Sequence, residues 1–314
     1  MSKTAFVFPG QGSQFAGMGK SLAETFPEAA TVFAQADAAL GFSISKLCFE
    51  GPDEELKLTE NTQPALVAVS VAALAVLRAK GLAADYVAGH SLGEYSALVA
   101  AGSLDFGDAL RLVRKRGRYM QEAVPAGVGA MAALLKMPPD KLDGVLAEAA
   151  TAPDGTHEVV SAANLNSPDQ IVIAGNAGAV ARAMELAKAA GAKRAVPLPV
   201  SAPFHCALMK PAQDRLKADL DTTEFRDLTT PLVNNWEARE IQAGPEAREG
   251  LYQQVPNPVR WEQTVRLLAA NGVTRFIEVG AGAVLTGLLR NIDPALTGAK
   301  FGEAADWDKL ATFA

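Results

Sequence analysis

Asp85-Tyr86-Val87-Ala88-Gly89-His90-Ser91-Leu92-Gly93-Glu94 is the stretch on which the fold turns. Asp85 to Ala88 reads as a short apolar strand, Gly89 ends it, and Glu94 to Ala101 reads as a helix. Between them, Gly89-His90-Ser91-Leu92-Gly93 fits G-x-S-x-G, a sharp strand-to-helix turn that lifts a serine into an exposed position. The glycines permit the tight backbone. Ser91 then stands at a helix N-terminus, where unpaired N–H groups and the helix dipole favour a developing negative charge. The bland account is an N-cap serine between two turn glycines. Strand, turn and helix in that order favour a nucleophile.

Outward from this turn, Thr4 to Phe8 is another short apolar strand, stopped by Pro9-Gly10. Helical patterns near 28–40, 64–80, 93–101 and 105–123 alternate with the strands, which predicts a parallel sheet covered on both faces. Residues 127–198 break the pattern. Val128 to Leu135 reads as a strand and Pro138 to Ala150 as a helix. Strands Glu158–Ala163 and Gln170–Ala174 follow, joined through an Asn166-Ser167-Pro168-Asp169 turn. Ala177 to Ala190 is a helix ended by Gly191, and Arg194 to Leu198 is a last strand. The order βαββαβ is the ferredoxin-like arrangement. Helices near 206–220 and 258–271, a strand at Arg275–Val279 and a helix near 283–291 resume the α/β pattern. The expected organisation is an α/β unit built from 1–125 and 199–314, with 126–198 inserted as a small ferredoxin-like subdomain.

Of the 314 residues, 49% are apolar and 20% charged, with a net charge of −6. That is the mix of a globular protein, and an acidic chain without a nucleic-acid motif is a poor general binder of nucleic acid. The longest apolar run, Ala65 to Leu77, is shorter than the roughly 20 residues of a membrane span and contains Ser70. Pro64 before it and Arg78, Lys80 and Gly81 after it mark a core helix. Ala5 to Phe8 is too short an apolar piece for a signal peptide, so a cytoplasmic location is expected. Cys48 and Cys206 are the only cysteines and give no disulfide framework. His90, His157 and His205 have no metal-ligand spacing, so no metal is expected. No coiled-coil or edge-strand signal stands out, and a monomer is expected.

A serine hydroxyl needs a base, usually histidine. His90 is adjacent to Ser91, and adjacent side chains diverge at such a turn; it reads as a packing or hydrogen-bonding residue. His157 lies in a polar loop beside Asp154 and Gly155 and reads as solvated. By elimination the base is His205, in Ser201-Ala202-Pro203-Phe204-His205. Cys206 beside it has no such turn and is a poor nucleophile. Gly10-Gln11-Gly12-Ser13-Gln14 fails as a dinucleotide fingerprint because Phe15 occupies the third glycine position, and Gly280-Ala281-Gly282 fails likewise. The first loop either offers backbone N–H groups to an oxyanion or is a plain tight turn. Arg111, Arg114, Lys115 and Arg118 share one helix face, as a solvated face or a landing site for an acidic partner. Arg116 points away from them, either to hold a carboxylate through paired hydrogen bonds or to form a structural salt bridge.

Six segments, in order over nearly the whole chain, carry a family resemblance. They are Phe8-Pro9-Gly10-Gln11-Gly12-Ser13-Gln14, Asn61-Thr62-Gln63-Pro64-Ala65, Gly89-His90-Ser91-Leu92-Gly93-Glu94, Ala202-Pro203-Phe204-His205, Asn257-Pro258-Val259-Arg260-Trp261 and Glu278-Val279-Gly280. Together they resemble the malonyl-CoA:acyl carrier protein transacylases of bacterial fatty-acid synthesis. The resemblance implies a hydrolase-like α/β core with a short parallel sheet and a ferredoxin-like insertion. It implies Ser91 as nucleophile, His205 as base, and the backbone N–H groups of Gln11 and Leu92 as the oxyanion hole. It implies Arg116 on the malonyl carboxylate and the Gln254 carbonyl orienting the His205 ring where other enzymes use an acid. Gln63 and Asn164 are implied as pocket residues, and Phe204 as a ring that crowds a methyl branch, a discrimination of about 1–3 kcal/mol. Pro256 departs from the aromatic that many relatives carry there. Malonyl-CoA is the implied substrate, with no cofactor, and an acidic, phosphopantetheinylated acyl carrier protein the implied partner. Other readings are an acyltransferase of a polyketide system, a serine hydrolase or thioesterase, and a non-catalytic binding module. Hydrolases of this type usually place an acid between Ser and His, with the His late in the chain. Here more than a hundred residues follow His205.

Overall fold

Strand β1 (Lys3–Phe8) is buried along almost its whole length, and its side chains alternate between two apolar layers. Phe6 and Phe8 enter the core built on the helix Thr59–Ala79, while Ala5 and Val7 pack with Trp261, Val265 and Leu285 on the other face. This is the period-two pattern of a strand covered on both faces. The computed structural model describes residues 2–125, 127–200 and 202–313. Ala126, at the expected start of the insertion, and Ser201, at the start of the segment leading to His205, lie outside the described residues.

The remaining strands, in chain order, are β2 (Tyr86–Gly89), β3 (Gly129–Leu135), β4 (Val160–Ser167), β5 (Gln170–Asn176), β6 (Arg194–Pro197), β7 (Leu232–Val233), β8 (Glu240–Ile241), β9 (Val273–Val279) and β10 (Thr297–Phe301). One sheet has the order β10-β9-β1-β2-β7-β8 and is parallel except for β8 at its edge. Phe8 pairs with Gly89, so the loop after β1 and the turn after β2 leave the sheet side by side at the strands' carboxyl ends. That edge is where open α/β sheets bind ligands. The second sheet, β4-β5-β3-β6, is antiparallel throughout and carries the helices Leu142–Ala149 and Ala177–Ala189 on one face, the ferredoxin-like order. Its other face sends Met131, Ala133 and Val172 into the main core. Asn164 bridges to Val259, where Leu165 N–H donates to the Val259 carbonyl at 2.9 Å and Val259 N–H to the Ala163 carbonyl at 2.8 Å.

Several expected elements shift. The core helix begins at Thr59, five residues before Pro64, which therefore lies inside it. At 21 residues this helix is long and apolar enough to cross a membrane, yet 83% of its most apolar window is buried in the protein, the position of a core helix. Strand β4 runs on to Ser167, so only Pro168-Asp169 turns the hairpin. The helix expected over 138–150 divides into a 3₁₀ turn, Pro139–Lys141, and the helix Leu142–Ala149. Strands β7, β8 and β10 and the helix Gly244–Gln254 have no counterpart in the sequence reading. Two-residue strands are too short to show a period, and β10 is mostly exposed apart from Phe301.

Candidate active site

The turn at Ser91 is as tight as its glycines suggest. A Cβ on Gly89 would stand 1.9 Å from the Gly93 carbonyl carbon, and one on Gly93 would stand 2.0 Å from the Phe8 carbonyl oxygen. Ser91 itself adopts φ +50°, a left-handed conformation that only tight surroundings sustain in a non-glycine residue. Asn235, just beyond β7, supplies part of that restraint: its Oδ1 accepts from Ser91 N–H at 2.6 Å and its Nδ2 donates to the Gly89 carbonyl at 2.6 Å. Gly89→Ala should lower stability by about 3 kcal/mol or more, the upper end for an inserted methyl, because backbone and not a movable side chain blocks it. A shift in urea midpoint checks this; an unchanged midpoint would show that the turn relaxes freely.

Ser91 Oγ lies 2.7 Å from His205 Nε2, and His205 Nδ1 lies 2.9 Å from the Gln254 carbonyl oxygen. A carbonyl can only accept, so Nδ1 carries the proton and Nε2 is left to accept from the serine hydroxyl. His205 is 3% exposed, and burial, then the charge of Arg116, push its pKa down to about 3. The imidazole is therefore neutral at ordinary pH, the form a general base requires.

Arg116 is 1% exposed. It donates to Gln63 Oε1 at 2.9 Å, to Gln254 Oε1 at 2.9 Å and to Ser91 Oγ at 3.1 Å, and it lies over the Tyr95 ring. Among the described residues no carboxylate lies within salt-bridge distance, and its Nε has no hydrogen-bond partner. The structural salt bridge is thus ruled out for the described residues. A buried cation held by neutral amides beside a nucleophile can receive an anionic group. Arg111, Lys115 and Arg118 are exposed and pair with Asp108, Asp219 and Glu60, while the half-buried Arg114 stacks on Phe42.

These groups face a cavity of about 120 Å³, sized for a short acyl group. Gln11, Gln63, Leu92, Asn164 and Phe204 line it with Ser91, Arg116 and His205, while Gln254 stands behind. Gly10 presses on the turn, where a Cβ would meet the His90 carbonyl oxygen at 2.4 Å, and so brings Gln11 beside Ser91. Gly280 packs against Pro9 and Ser70, so the second glycine loop props the first. His90 is the hydrogen-bonding residue expected, with Nε2 2.8 Å from Asn166 Oδ1 and its ring against Trp261. His157 is exposed. Cys206 is buried and its thiol is pushed up to about 11. Asn235 escaped the sequence reading because it lies far from the residues it holds and outside any local pattern, and Asn166 was legible only as a turn residue.

Serine, neutral histidine and a guanidinium with no carboxylate partner among the described residues, all around one small cavity, define a site for serine-dependent acyl transfer. Residues 5–298 match the acyl transferase domain family. The malonyl CoA-acyl carrier protein transacylase of Bacillus subtilis is 51% identical over 94% of this chain and 92% of that protein. The Escherichia coli K12 protein of the same name is 50% identical over 96% and 97%. A crystal structure of an acyl carrier protein S-malonyltransferase from Vibrio cholerae superposes with a TM-score of 0.95 at 47% identity, covering 98% of this chain and all of that one. A malonyl-transacylase solved in complex with its type II PKS acyl-carrier protein gives a TM-score of 0.95 at 46% identity over the full length of both. The chain belongs to the malonyl CoA-acyl carrier protein transacylase family.

Proposed function

We propose that this protein moves a malonyl group from malonyl-CoA to the phosphopantetheine thiol of an acyl carrier protein through an ester on Ser91. The observation that carries the reading is Arg116, a buried guanidinium with neutral partners, 3.1 Å from the serine oxygen. Ser91 Oγ attacks the thioester carbonyl as His205 Nε2 takes its proton. The backbone N–H groups of Gln11 and Leu92 receive the oxyanion. The tetrahedral intermediate collapses, and the CoA sulfur leaves with the proton from His205. The carrier thiol then gives its proton to His205 and attacks the ester, and Ser91 Oγ leaves with that proton from His205, restoring the neutral base. Arg116 binds the malonyl carboxylate throughout, with Gln63 and Asn164 beside it, and Phe204 crowds any branch on the acyl group. The Gln254 carbonyl holds the imidazole in its working tautomer. The chemistry needs no cofactor beyond the thioester. We read the protein as a cytoplasmic monomer whose residues 126–198 form an inserted subdomain. The relative solved with a type II PKS carrier supports a second reading in which the carrier serves a polyketide system.

Intact-protein mass spectrometry after mixing with malonyl-CoA tests the route. The expected result is a gain of one malonyl group, mapped to Ser91 and lost on adding phosphopantetheinylated carrier protein. Free malonate without an adduct would indicate a hydrolase. Intact malonyl-CoA with no adduct would indicate a binding module.

A further inference from the structure

Glu94, in the first turn of the helix after Ser91, is fully buried, and none of the steps of malonyl transfer uses it. Its Oε2 accepts two hydrogen bonds, from Gln254 Nε2 at 2.8 Å and from Asn235 N–H at 3.1 Å. Its Oε1 has no partner among the described residues. A half-satisfied buried carboxylate is costly, so a compensating use is expected. Both donors lead directly to the reacting groups. Asn235 holds the backbone of Ser91 and of Gly89. Gln254 carries the carbonyl that orients His205, and its side-chain amide lies between Glu94 and Arg116.

That amide has a direction. Its NH₂ end donates to Glu94 and to the Ser91 carbonyl, the latter at 2.9 Å, which leaves its oxygen for Arg116 at 2.9 Å. A flipped amide would set an oxygen against a carboxylate and an NH₂ against a guanidinium, two like-sign contacts in a buried site. We propose that Glu94 is a positioning residue: its accepting oxygen fixes the direction of the Gln254 amide and thereby aims Arg116 at the acyl carboxylate. This role rests on the malonyl-transfer function proposed for Ser91, His205 and Arg116. It gives Gln254 a second task, since its side chain serves Arg116 while its main chain serves His205. One carboxylate thereby joins the anion-binding cation to the nucleophile's backbone. Burial pushes the Glu94 carboxyl up to about 7, against the pull of its two donors and of the Arg116 charge.

The test compares malonyl-CoA and acetyl-CoA as acyl donors, because acetyl offers Arg116 no carboxylate. In Glu94→Ala the amide loses the charged acceptor that holds its NH₂ end, and only the Ser91 carbonyl is left to accept from it. kcat/KM for malonyl-CoA is expected to fall roughly 10- to 100-fold, the scale of a misdirected charged hydrogen bond, and that for acetyl-CoA by much less. Glu94→Gln can keep an accepting oxygen in the same place and should recover most of the malonyl preference. Gln254→Met keeps the carbonyl on His205 but loses the amide, and should reproduce the Glu94→Ala selectivity change, which keeps the test decisive if Glu94→Ala fails to fold. Equal losses on both substrates in Glu94→Ala or Gln254→Met would overturn the proposal, as would a Glu94→Gln protein as unselective as Glu94→Ala. If the wild type forms no ester on Ser91, the malonyl-transfer function itself falls. If that ester forms while the Glu94 and Gln254 variants keep the malonyl preference, only the role of Glu94 falls.

Discussion

Ser91→Ala and His205→Ala each lower the rate of malonyl transfer by about 10⁴-fold or more, and the double variant is no slower than the slower single one. The two side chains act as one unit, with the serine oxygen and Nε2 2.7 Å apart, so removing either leaves the other without a task. What remains in each variant is binding and the oxyanion hole. The rate of malonyl transfer from malonyl-CoA to carrier protein, followed under single-turnover conditions, is the measurement. Losses that multiply in the double variant would mean the two residues work in separate steps. A pH profile adds a check. Because the pKa of His205 is pushed down to about 3, the free enzyme keeps a neutral base through the weakly acid range, and acylation should not lose a histidine proton acceptor near pH 6.5. The same shift contributes to stability. Between about 3 and the ordinary 6.5 the folded state binds fewer protons than the unfolded one. The contribution from His205 is therefore intact above 6.5 and is lost as pH falls towards 3.

Arg116→Ala lowers kcat/KM for malonyl-CoA by about 10²- to 10³-fold and for acetyl-CoA by less than about 10-fold. Truncating one partner of a buried charge pair costs about 2–5 kcal/mol, and each 1.36 kcal/mol is tenfold in rate. Arg116→Lys recovers little, because the present geometry uses two guanidinium nitrogens, one on Gln63 and one shared by Gln254 and Ser91. Steady-state kinetics on both thioesters decides the matter: equal losses would mean that the guanidinium holds up the site and binds no carboxylate. Arg116 is also the second cause, after burial, of the lowered His205 pKa. Removing it should raise the acid limb of the pH profile towards the ordinary histidine value.

The parallel sheet and the ferredoxin-like sheet were legible because their strands carry continuous or alternating apolar runs bounded by turn residues, as in β1 and β3. The turn at Ser91 was legible because a local pattern, Gly-x-Ser-x-Gly, has a local cause: two glycines against backbone. Arg116 could be singled out as pointing away from its basic neighbours, although helical spacing alone left its task open. The Gln254 carbonyl was different. A main-chain acceptor leaves no trace in residue type, and only the family resemblance pointed to it. Asn235 and Glu94 stayed silent for a related reason. Each acts on Ser91 or Arg116 through hydrogen bonds whose other ends lie up to 160 residues away, and no spacing rule reaches that far. Helix Thr59–Ala79 ran past its proline because packing against Gly117 and the core, and not local punctuation, fixes where it starts.

The cavity around Ser91 has two owners. Ser91 comes from the turn after β2, and Gln63 and Arg116 from the helices Thr59–Ala79 and Phe106–Glu122, whereas Met131 and Asn164 come from the antiparallel sheet and Leu198, Val200 and His205 from the chain just after it. The nucleophile and the guanidinium thus belong to a different stretch of chain from the wall that measures the acyl group's flank, and among the reacting groups only His205 shares that stretch. With the acyl group carried on Ser91, lineages can revise that wall by drift at Met131, Leu198 or Val200 while the reacting groups stay untouched. A change of acyl diet is then a short evolutionary walk, and a change of chemistry a long one.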